Sequence, residues 1–484
     1  MSSSLHYIST RGTAPRLGFE DVLLAGLARD GGLYVPETWP RLAHDEIQSF
    51  AGLPFADLAV AIIDRFTGGA IARGDLVRMA REAYATFGHA AVTPLVQIEP
   101  ETFVLELFHG PTLAFKDVAM QLLARLMDHV LEKRGQRVTI VGATSGDTGG
   151  AAIEAFRGSK RCDVVILFPD GRVSDVQRRM MTTPRESNVH AVAIDGTFDD
   201  CQALVKAMFN DHAFRDRVHL AGVNSINWAR IVAQVTYYFA AATALGAPHR
   251  NVAFCVPTGN FGDIFAGHVA RRMGLPIADL VIASNENDIL PRTLQTGVYE
   301  MRDVMATSSP SMDIQISSNF ERYLFEASSR DEAYVRGSMG SLAQSRRFEV
   351  GGAVAEHMRR DFSARSASEA EVADAIRKVA QESAYLMDPH TACGYVAAMA
   401  SAISATAGVR DGAHGRGVPK VVLSTAHPAK FPDAIEKITG RRPPLPERLS
   451  GLMSDPERFE SVANDLAAIE AFVEARARAV RKET

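Results

Sequence analysis

Residues 138–168 of the chain read VTIVGATSGDTGGAAIEAFRGSKRCDVVILF. An apolar run at 138–141 is followed by glycines and small hydroxyl residues, then by a helical stretch, and a second apolar run occupies 164–168. This order predicts a strand, a helix and a second strand, which together make a βαβ unit. Because both apolar runs are continuous rather than alternating, they suit parallel strands buried on both faces, and the predicted fold class is α/β.

The same pattern continues on both sides of this segment. Residues 118–130 carry apolar side chains at helical spacing, and residues 228–245 form the most apolar long stretch. Because Arg230 and Gln234 lie within that stretch, we interpret it as a buried core helix and not as a membrane span. Further parallel strands are predicted at residues 189–194, 252–256, 280–283 and 421–423.

The two ends of the chain are organised differently from its middle. Apolar residues recur at helical spacing from Phe19 to Leu27, and a short strand is expected at residues 33–35. A small N-terminal unit therefore begins here, and Thr93-Pro94 marks its end. Residues 464–477 are predicted to form a helix near the other end of the chain.

The composition is that of a soluble globular protein, because 46% of the 484 residues are hydrophobic and 23% are charged. The formal net charge of -5 is small, and Lys and Arg are scattered among acids, which argues against nucleic acid as a partner. The four cysteines stand far apart and indicate neither disulfides nor a zinc site. The first 13 residues lack the features of a secretory signal, so we expect a cytoplasmic protein.

One lysine stands at a position that needs an explanation. The segment 108–117, FHGPTLAFKD, places Lys116 where a strand-like run ends and a helix begins. For an arbitrary lysine the ordinary interpretation is a solvated side chain, because lysine is rarely buried unless it is paired. The residue alone therefore does not decide between a surface position and a catalytic one.

Two glycine-containing turns follow predicted strands and open predicted helices, an arrangement that binds anions through backbone amides and the helix dipole. Residues 257–263, PTGNFGD, suit a phosphate in this way. Residues 143–149, ATSGDTG, suit a carboxylate, with two hydroxyls as additional donors. A plain strand-to-helix turn explains the first segment equally well, and an ordinary helix N-cap explains the second.

Taken together, these segments resemble the threonine synthase family. The lysine segment and the two turns are followed in order by residues 287–292, NDILPR, and 425–431, TAHPAKF, while GGLYVP at 31–36 matches near the N-terminus. The resemblance covers nearly the whole chain. It implies a pyridoxal phosphate enzyme of fold type II, with a large parallel-sheet domain, a smaller α/β lobe and a small N-terminal domain.

The resemblance also implies roles for individual residues. Lys116 forms the Schiff base with pyridoxal 5'-phosphate and then, as a free amine, moves protons between substrate carbons; only a primary amine can form that imine. The residues that border the cofactor are Gly259, Asn260, Phe261 and Asp263, with Thr425 against the pyridine nitrogen. The candidates for binding the substrate are Thr144, Ser145, Asp147 and Thr148. The candidates for binding its phosphate are Asn287 and Arg292, with Lys430 as a secondary candidate.

The reaction implied is that of O-phospho-L-homoserine and water to L-threonine and phosphate, by γ-elimination followed by β-addition of water. Dehydration of serine or threonine, or β-replacement on an amino acid, is the alternative on the same scaffold. A cofactor-binding relative without catalysis, or a phosphate-sensing interaction protein, is the alternative from another class. We expect no metal, no membrane and no nucleic acid as partner, and a monomer or a homodimer.

The resemblance and the apolar pattern together predict a division into four parts. These are an N-terminal domain at 1–95, a large cofactor-binding domain at 96–117 and 216–445, a small α/β domain at 118–215, and a C-terminal helical extension at 446–484.

Overall fold

A computed structural model of the chain describes residues 5–401 and 417–480. The first four residues of the N-terminal stretch and the last four of the C-terminal extension lie outside the described residues. The strands are β1 (Tyr7–Ser9), β2 (Tyr34–Pro36), β3 (Leu95–Glu99), β4 (Thr102–Glu106), β5 (Val138–Ala143), β6 (Cys162–Pro169), β7 (Val189–Ile194), β8 (Leu220–Ala221), β9 (Val252–Pro257), β10 (Ile277–Ser284), β11 (Val298–Glu300), β12 (Arg347–Glu349), β13 (Ser363–Ser366), β14 (Lys420–Ser424) and β15 (Glu460–Val462).

The α-helices surround these strands. They are α1 (Phe19–Ala25), α2 (His44–Ser49), α3 (Phe55–Thr67), α4 (Arg73–Tyr84), α5 (Lys116–Arg134), α6 (Asp147–Phe156), α7 (Asp175–Thr182), α8 (Phe198–Asn210), α9 (His212–Arg217), α10 (Trp228–Ala244), α11 (Gly262–Arg272), α12 (Ile289–Thr296), α13 (Phe320–Ala327), α14 (Glu332–Ser345), α15 (Gly352–Asp361), α16 (Glu369–Glu382), α17 (Pro389–Ala400), α18 (Pro432–Thr439) and α19 (Leu466–Arg476).

The larger sheet has six strands in the order β13-β10-β9-β14-β4-β3. All neighbouring pairs are parallel except β3 and β4. Strand β9 is buried along its whole length, as its continuous apolar sequence predicts. The carboxyl ends of β9 and β14 therefore point in one direction, and the segments that follow them lie at the same edge of the sheet.

The smaller sheet has five parallel strands in the order β15-β7-β6-β5-β8. Helix α6 connects β5 to β6, which confirms the βαβ unit predicted from residues 138–168. Strand β15 comes from the C-terminal stretch, where the sequence predicted only the helix now seen as α19. Its residues are Glu460, Ser461 and Val462, of which the first two are exposed. The segment therefore has no apolar pattern from which the strand could be predicted.

The N-terminal unit consists mainly of helices that pack on the larger sheet's helical layer. Tyr7 Oη donates to the Phe66 carbonyl at the end of α3, and both side chains belong to the main hydrophobic core. Helix α10 is buried, as predicted from its apolar sequence. No helix within the described part of the chain has both the length and the hydropathy needed to cross a bilayer. The division into four parts stays a prediction.

A buried histidine in α11 makes the stability of this fold depend on pH. His268 is only 4% exposed, neither ring nitrogen has a hydrogen-bond partner among residues 5–401 and 417–480, and its ring stacks on Phe265. Burial lowers the pKa of His268 from 6.5 to about 4. As the pH falls through this window, the unfolded chain takes up a proton that the folded chain does not, so the free energy of unfolding decreases.

The substitution His268→Phe should remove this part of the pH dependence. Relative to the original chain, the variant should lose less stability between pH 7 and pH 4, by up to about 3 kcal/mol. Denaturant unfolding at several pH values measures the difference. His212→Gln, which removes a histidine from the exposed start of α9, is the control. Equal losses for the His268 variant and the original chain would contradict the prediction.

Candidate active site

Lys116 is held at the edge of the larger sheet by backbone contacts. The amide of Phe115 donates to the Thr425 carbonyl at 2.8 Å, and the amide of His427 donates to the Leu113 carbonyl at 3.0 Å. These two bonds join the lysine segment to the segment that follows β14. Helix α5 begins at Lys116, which is buried, and the Phe115 ring centroid lies 4.9 Å from its Nζ.

Lys116 forms an ion pair with the carboxylate of Asp147 at the start of α6. Asp147 Oδ2 lies 3.4 Å from Lys116 Nζ, and Asp147 Oδ1 lies 2.7 Å from the Nζ of a second buried lysine, Lys430. The distance to Lys116 is at the outer limit of a hydrogen bond, whereas the distance to Lys430 is that of a close ion pair. Lys430 also donates to the Thr112 carbonyl at 2.8 Å, which fixes its ammonium beside the carboxylate.

The charges of this group alter two pKa values. Burial tends to raise the pKa of Asp147, but the positive charges of Lys430 and Lys116 outweigh burial and hold it well below its usual range. Burial lowers the pKa of Lys116, and the positive charges of Lys430 and Arg230 lower it further, although Asp147 opposes this. A lysine with a lowered pKa is a better nucleophile and base near neutral pH.

Two further donors fix the Asp147 carboxylate. Gln177 Nε2 donates to Oδ1 at 2.9 Å, and Ser311 Oγ donates to Oδ2 at 3.1 Å. Gln177 also closes a capping box with Ser174 at the start of α7. The smaller sheet's helices and the loop before α13 therefore meet at this one carboxylate.

A hydrogen-bonded pair of His390 and Asp388 fixes the backbone of Ser311. The Ser311 amide donates to His390 Nε2 at 3.2 Å, and His390 Nδ1 lies 2.6 Å from Asp388 Oδ2. His390 therefore donates through Nδ1 and accepts through Nε2. Asp388 is the N-cap of α17 and also accepts from Thr391 Oγ1, which contacts Ser424 Oγ next to Thr425. This pair links the Asp147 side of the site to the Thr425 side.

The glycine-rich turn after β9 leads directly into the N-terminus of α11, where the helix dipole favours negative charge. Phe261 has a φ of 63°, and α11 begins at the next residue. A Cβ at Gly259 would lie 2.9 Å from the Ser311 carbonyl oxygen, so no larger residue fits there without movement. The Gly259 carbonyl accepts from Ser317 Oγ, which ties the turn to the loop before α13.

The other two residues predicted for this turn are engaged with protein groups. Asn260 Oδ1 accepts from Ser318 Oγ at 3.3 Å. The Asp263 carboxylate accepts from the hydroxyls of Tyr237 and Tyr238 on α10. Burial raises the pKa of Asp263 to about 6, and the two hydrogen bonds limit the shift. These contacts hold α11 against α10.

The turn after β5 is organised by one threonine. Thr144 Oγ1 accepts from the amides of Gly146 and Gly149, both at 2.9 Å. The turn is therefore pinned to the first turn of α6, and Asp147 is presented between the two glycines. Ser145 and Thr148 are half-buried beside it.

Asn287 and Arg292, predicted to hold the substrate phosphate, belong to a separate polar group near α12. Asn287 Nδ2 donates to the Met305 carbonyl and to Asp313. Arg292 Nε donates to Asp288 Oδ1 at 2.7 Å, and its Nη2 donates to the Glu300 carbonyl at 3.1 Å. In this conformation the guanidinium of Arg292 is already paired with a carboxylate.

Arg230 is a buried cation without such a pair. It is 2% exposed, and its Nη1 donates to the Val223 carbonyl at 3.2 Å. Within the described part of the chain its Nε has no acceptor, and no carboxylate lies within 4 Å. Burial lowers its pKa to about 10. The next residue, Ile231, comes within 3.5 Å of the Cβ position at Gly262, which places this end of α10 beside the glycine-rich turn.

The sequence interpretation named Lys116, Asp147 and Lys430 but did not predict that they meet. It did not single out Gln177, Ser311, His390 or Asp388. Gln177 and Ser311 lie 30 and 164 residues from Asp147 along the chain, and His390 lies 79 residues from Ser311, so their proximity is not visible in the sequence. The sequence around Arg230 did contain a signal for a binding residue. An arginine buried in a largely apolar helix needs an anionic partner, and residues 228–245 contain no Asp or Glu.

Three family models match the chain. Residues 6–84 match "Threonine synthase N terminus", residues 86–409 match "Pyridoxal-phosphate dependent enzyme", and residues 391–473 match "Threonine synthase, C-terminal". The second of these matches alone covers more than half of the chain. In order, the three span nearly all of the sequence.

Known proteins resemble the chain over its whole length. The threonine synthase of Pseudomonas aeruginosa is 51% identical over 470 residues, which cover 97% of this chain and 98% of that protein. A crystal structure of a PLP-bound threonine synthase from Brucella melitensis is 57% identical with a TM-score of 0.93, covering 98% of this chain and 100% of that one. The yeast threonine synthase structure is 39% identical with a TM-score of 0.89, covering 98% and 99%.

Substitution of Gly149 tests whether α6 packs against the smaller sheet too closely for a side chain at this position. A Cβ at Gly149 would lie 2.5 Å from Thr144 Cγ2 and 2.7 Å from Ile166 Cγ2, so Gly149→Ala should destabilise the fold by about 1–3 kcal/mol. Gly150 is the matched control, because its Cβ would meet nothing closer than 3.6 Å. Gly150→Ala should be neutral or stabilise by roughly 0.5–1 kcal/mol. Thermal unfolding measures both, and similar losses for the two variants would contradict the close approach.

Proposed function

The chain belongs to the threonine synthase family of pyridoxal phosphate enzymes, and from this membership we propose that it converts O-phospho-L-homoserine and water to L-threonine and phosphate. The observation that carries the proposal is the position of Lys116. Its amine is buried at the start of α5, beside the carboxylate of Asp147, which follows the glycine-containing turn after β5. A buried lysine in such surroundings needs a chemical role.

The residues of the site fit pyridoxal 5'-phosphate. Lys116 supplies the amine for the aldehyde, and the turn at Gly259–Gly262, ahead of α11, supplies backbone amides and the helix dipole for the phosphate. The close approach of the Ser311 carbonyl to Gly259 explains why a glycine lines this turn. When bound, the cofactor supplies an electron sink that stabilises negative charge on substrate carbons. We propose that Asn260, Phe261 and Asp263 border it and that the Thr425 hydroxyl faces its ring nitrogen.

Proton movement is the proposed work of Lys116. Once released as a free amine, its Nζ takes a proton from the α-carbon and then one from the β-carbon of the substrate, and phosphate leaves as the bond between the γ-carbon and the phosphate oxygen breaks. Protons then return to the γ-carbon and, after water has added, to the α-carbon. The lowered pKa of Lys116 favours this role, because a base must be uncharged to accept a proton. Water then adds at the β-carbon. The turn with Thr144, Ser145, Asp147 and Thr148 is proposed to hold the substrate carboxylate.

The phosphate of the substrate needs fixed positive charge. Asn287 and Arg292 remain the residues proposed from the sequence, and the geometry adds Arg230. A phosphate would supply the acceptor that Nε of Arg230 lacks within the described residues, whereas Arg292 already has Asp288. We therefore propose Arg230 as the main positively charged residue that binds the phosphate of the substrate.

Three further expectations accompany this function. We propose a cytoplasmic location, a monomer or a homodimer, and the four-part domain division given above. The substrate is a small molecule, as for the family. Dehydration of serine or threonine on the same scaffold is the alternative reaction, and it needs no cation for a phosphate.

Lys116→Ala should abolish the covalent bond between chain and cofactor. Borohydride reduction followed by peptide mapping should place the cofactor on the peptide that contains Lys116 in the original chain and nowhere in the variant. Threonine formation should fall by at least about 10³-fold, because general acid–base catalysis alone contributes about 10²–10⁴-fold. A variant that still forms the bond and retains activity would refute the assignment.

Arg230→Met and Arg292→Met separate the two candidates for the phosphate. Loss of a charge-assisted hydrogen bond costs about 1.5–3 kcal/mol, so the responsible variant should show a kcat/KM for O-phospho-L-homoserine lowered by about 10- to 100-fold. We expect this for Arg230→Met and a smaller effect for Arg292→Met. The reverse order would return the role to Arg292. Loss in neither variant would favour a reaction without a leaving phosphate.

A further inference from the structure

Two buried lysines share one buried carboxylate at the centre of the site. Lys430 is 1% exposed and Lys116 is 8% exposed, and they approach different oxygens of Asp147. The Lys430 contact is the shorter by 0.7 Å, the difference between 3.4 and 2.7 Å. A charge-assisted bond of that length makes Lys430 the main partner of the carboxylate and Lys116 the lesser one.

The arrangement matters when Lys116 gives up its proton. If Asp147 had only Lys116 as a cationic partner, deprotonation of Lys116 would leave an unpaired carboxylate in the interior, which is costly. With Lys430 on Oδ1, the carboxylate stays paired whether Lys116 is charged or neutral. The neutral amine is the form that attacks an aldehyde and that accepts protons from carbon.

We propose that Lys430 is a positioning residue that acts on Lys116 through Asp147: its ammonium neutralises the carboxylate, so that Lys116 is free to work as an uncharged amine. This inference rests on the proposed function of Lys116 as the residue that binds the cofactor. The phosphate contact predicted for Lys430 from the sequence stays a separate prediction.

The other charged groups around Lys116 agree with this role. Arg230 adds a second positive charge that disfavours the ammonium form of Lys116. Asp263, the remaining acid that acts on Lys116, has a pKa raised by burial to about 6 and is bonded to two tyrosines. Asp117 acts on Lys430 but is bonded to the amide and hydroxyl of Thr112. Asp147 is thus the acid placed directly between the two lysines.

The test follows bond formation between the full-length chain, freed of cofactor, and pyridoxal 5'-phosphate across a range of pH. The amine and the aldehyde form a carbon–nitrogen double bond and release one water molecule, and borohydride trapping reports the amount on Lys116. The ammonium form does not react, so the rate shows an inflection at the pKa of Lys116. No substrate is present, so a failure to make threonine would refute the proposed reaction without affecting this measurement.

Lys430→Met should move the inflection upward by about one pH unit or more, because a like charge is lost and Asp147 is left to Lys116 alone. Lys430→Arg keeps the charge and should leave the inflection within about 0.3 unit of the original. Asp147→Asn should move it in the opposite direction, downward. Lys420→Met, which removes a lysine at the other end of β14, is the matched control and should not move it.

Circular dichroism establishes that each variant is folded. If Lys430→Met does not fold, the double variant with Asp147→Asn removes both charges at once, and its inflection should lie above that of Asp147→Asn alone. An inflection that stays in place or falls on removal of Lys430 overturns the proposal. So does a Lys430→Arg variant that behaves like Lys430→Met, because the residue would then serve packing and not charge.

Discussion

A buried negative charge must be paired, and the centre of this protein is built around that requirement. The Asp147 carboxylate is bound by two lysines, a glutamine and a serine, each from a different part of the chain. Because an unpaired carboxylate in the interior is costly, all these parts must come together for the fold to be stable. The same carboxylate lies beside Lys116, whose pKa is lowered mainly by burial.

The two sheets supply the rigid support for this group. The larger sheet places the segments after β9 and β14 at one edge, and the smaller sheet places the start of α6 opposite them. The loop before α13 contacts both sides, through Ser311 to Asp147 and through Ser317 to Gly259. The His390–Asp388 pair then fixes Ser311, so the position of the carboxylate depends on elements outside the cleft.

The sequence allowed the fold and the lysine to be predicted because their signals are local. Continuous apolar runs located β6 and β9, and the segment around Lys116 carried the family resemblance. Strand β15 was missed because its residues have no apolar pattern. The pairing of Lys430 with Asp147 was missed because ion pairs between residues 283 positions apart depend on the tertiary fold, which no local pattern encodes. Arg230 was only partly predictable. Its apolar neighbours are visible in the sequence, but only the structure shows that no carboxylate of the described residues pairs with it.

The central claim is that this buried amine, set beside a shared carboxylate, carries out a γ-elimination followed by addition of water. The most direct measurement incubates the purified protein, loaded with pyridoxal 5'-phosphate, with O-phospho-L-homoserine and quantifies L-threonine and phosphate in the same samples. The account predicts that both products appear together in equal amounts. Phosphate released without threonine, or turnover of serine in the absence of any reaction with O-phospho-L-homoserine, would contradict it.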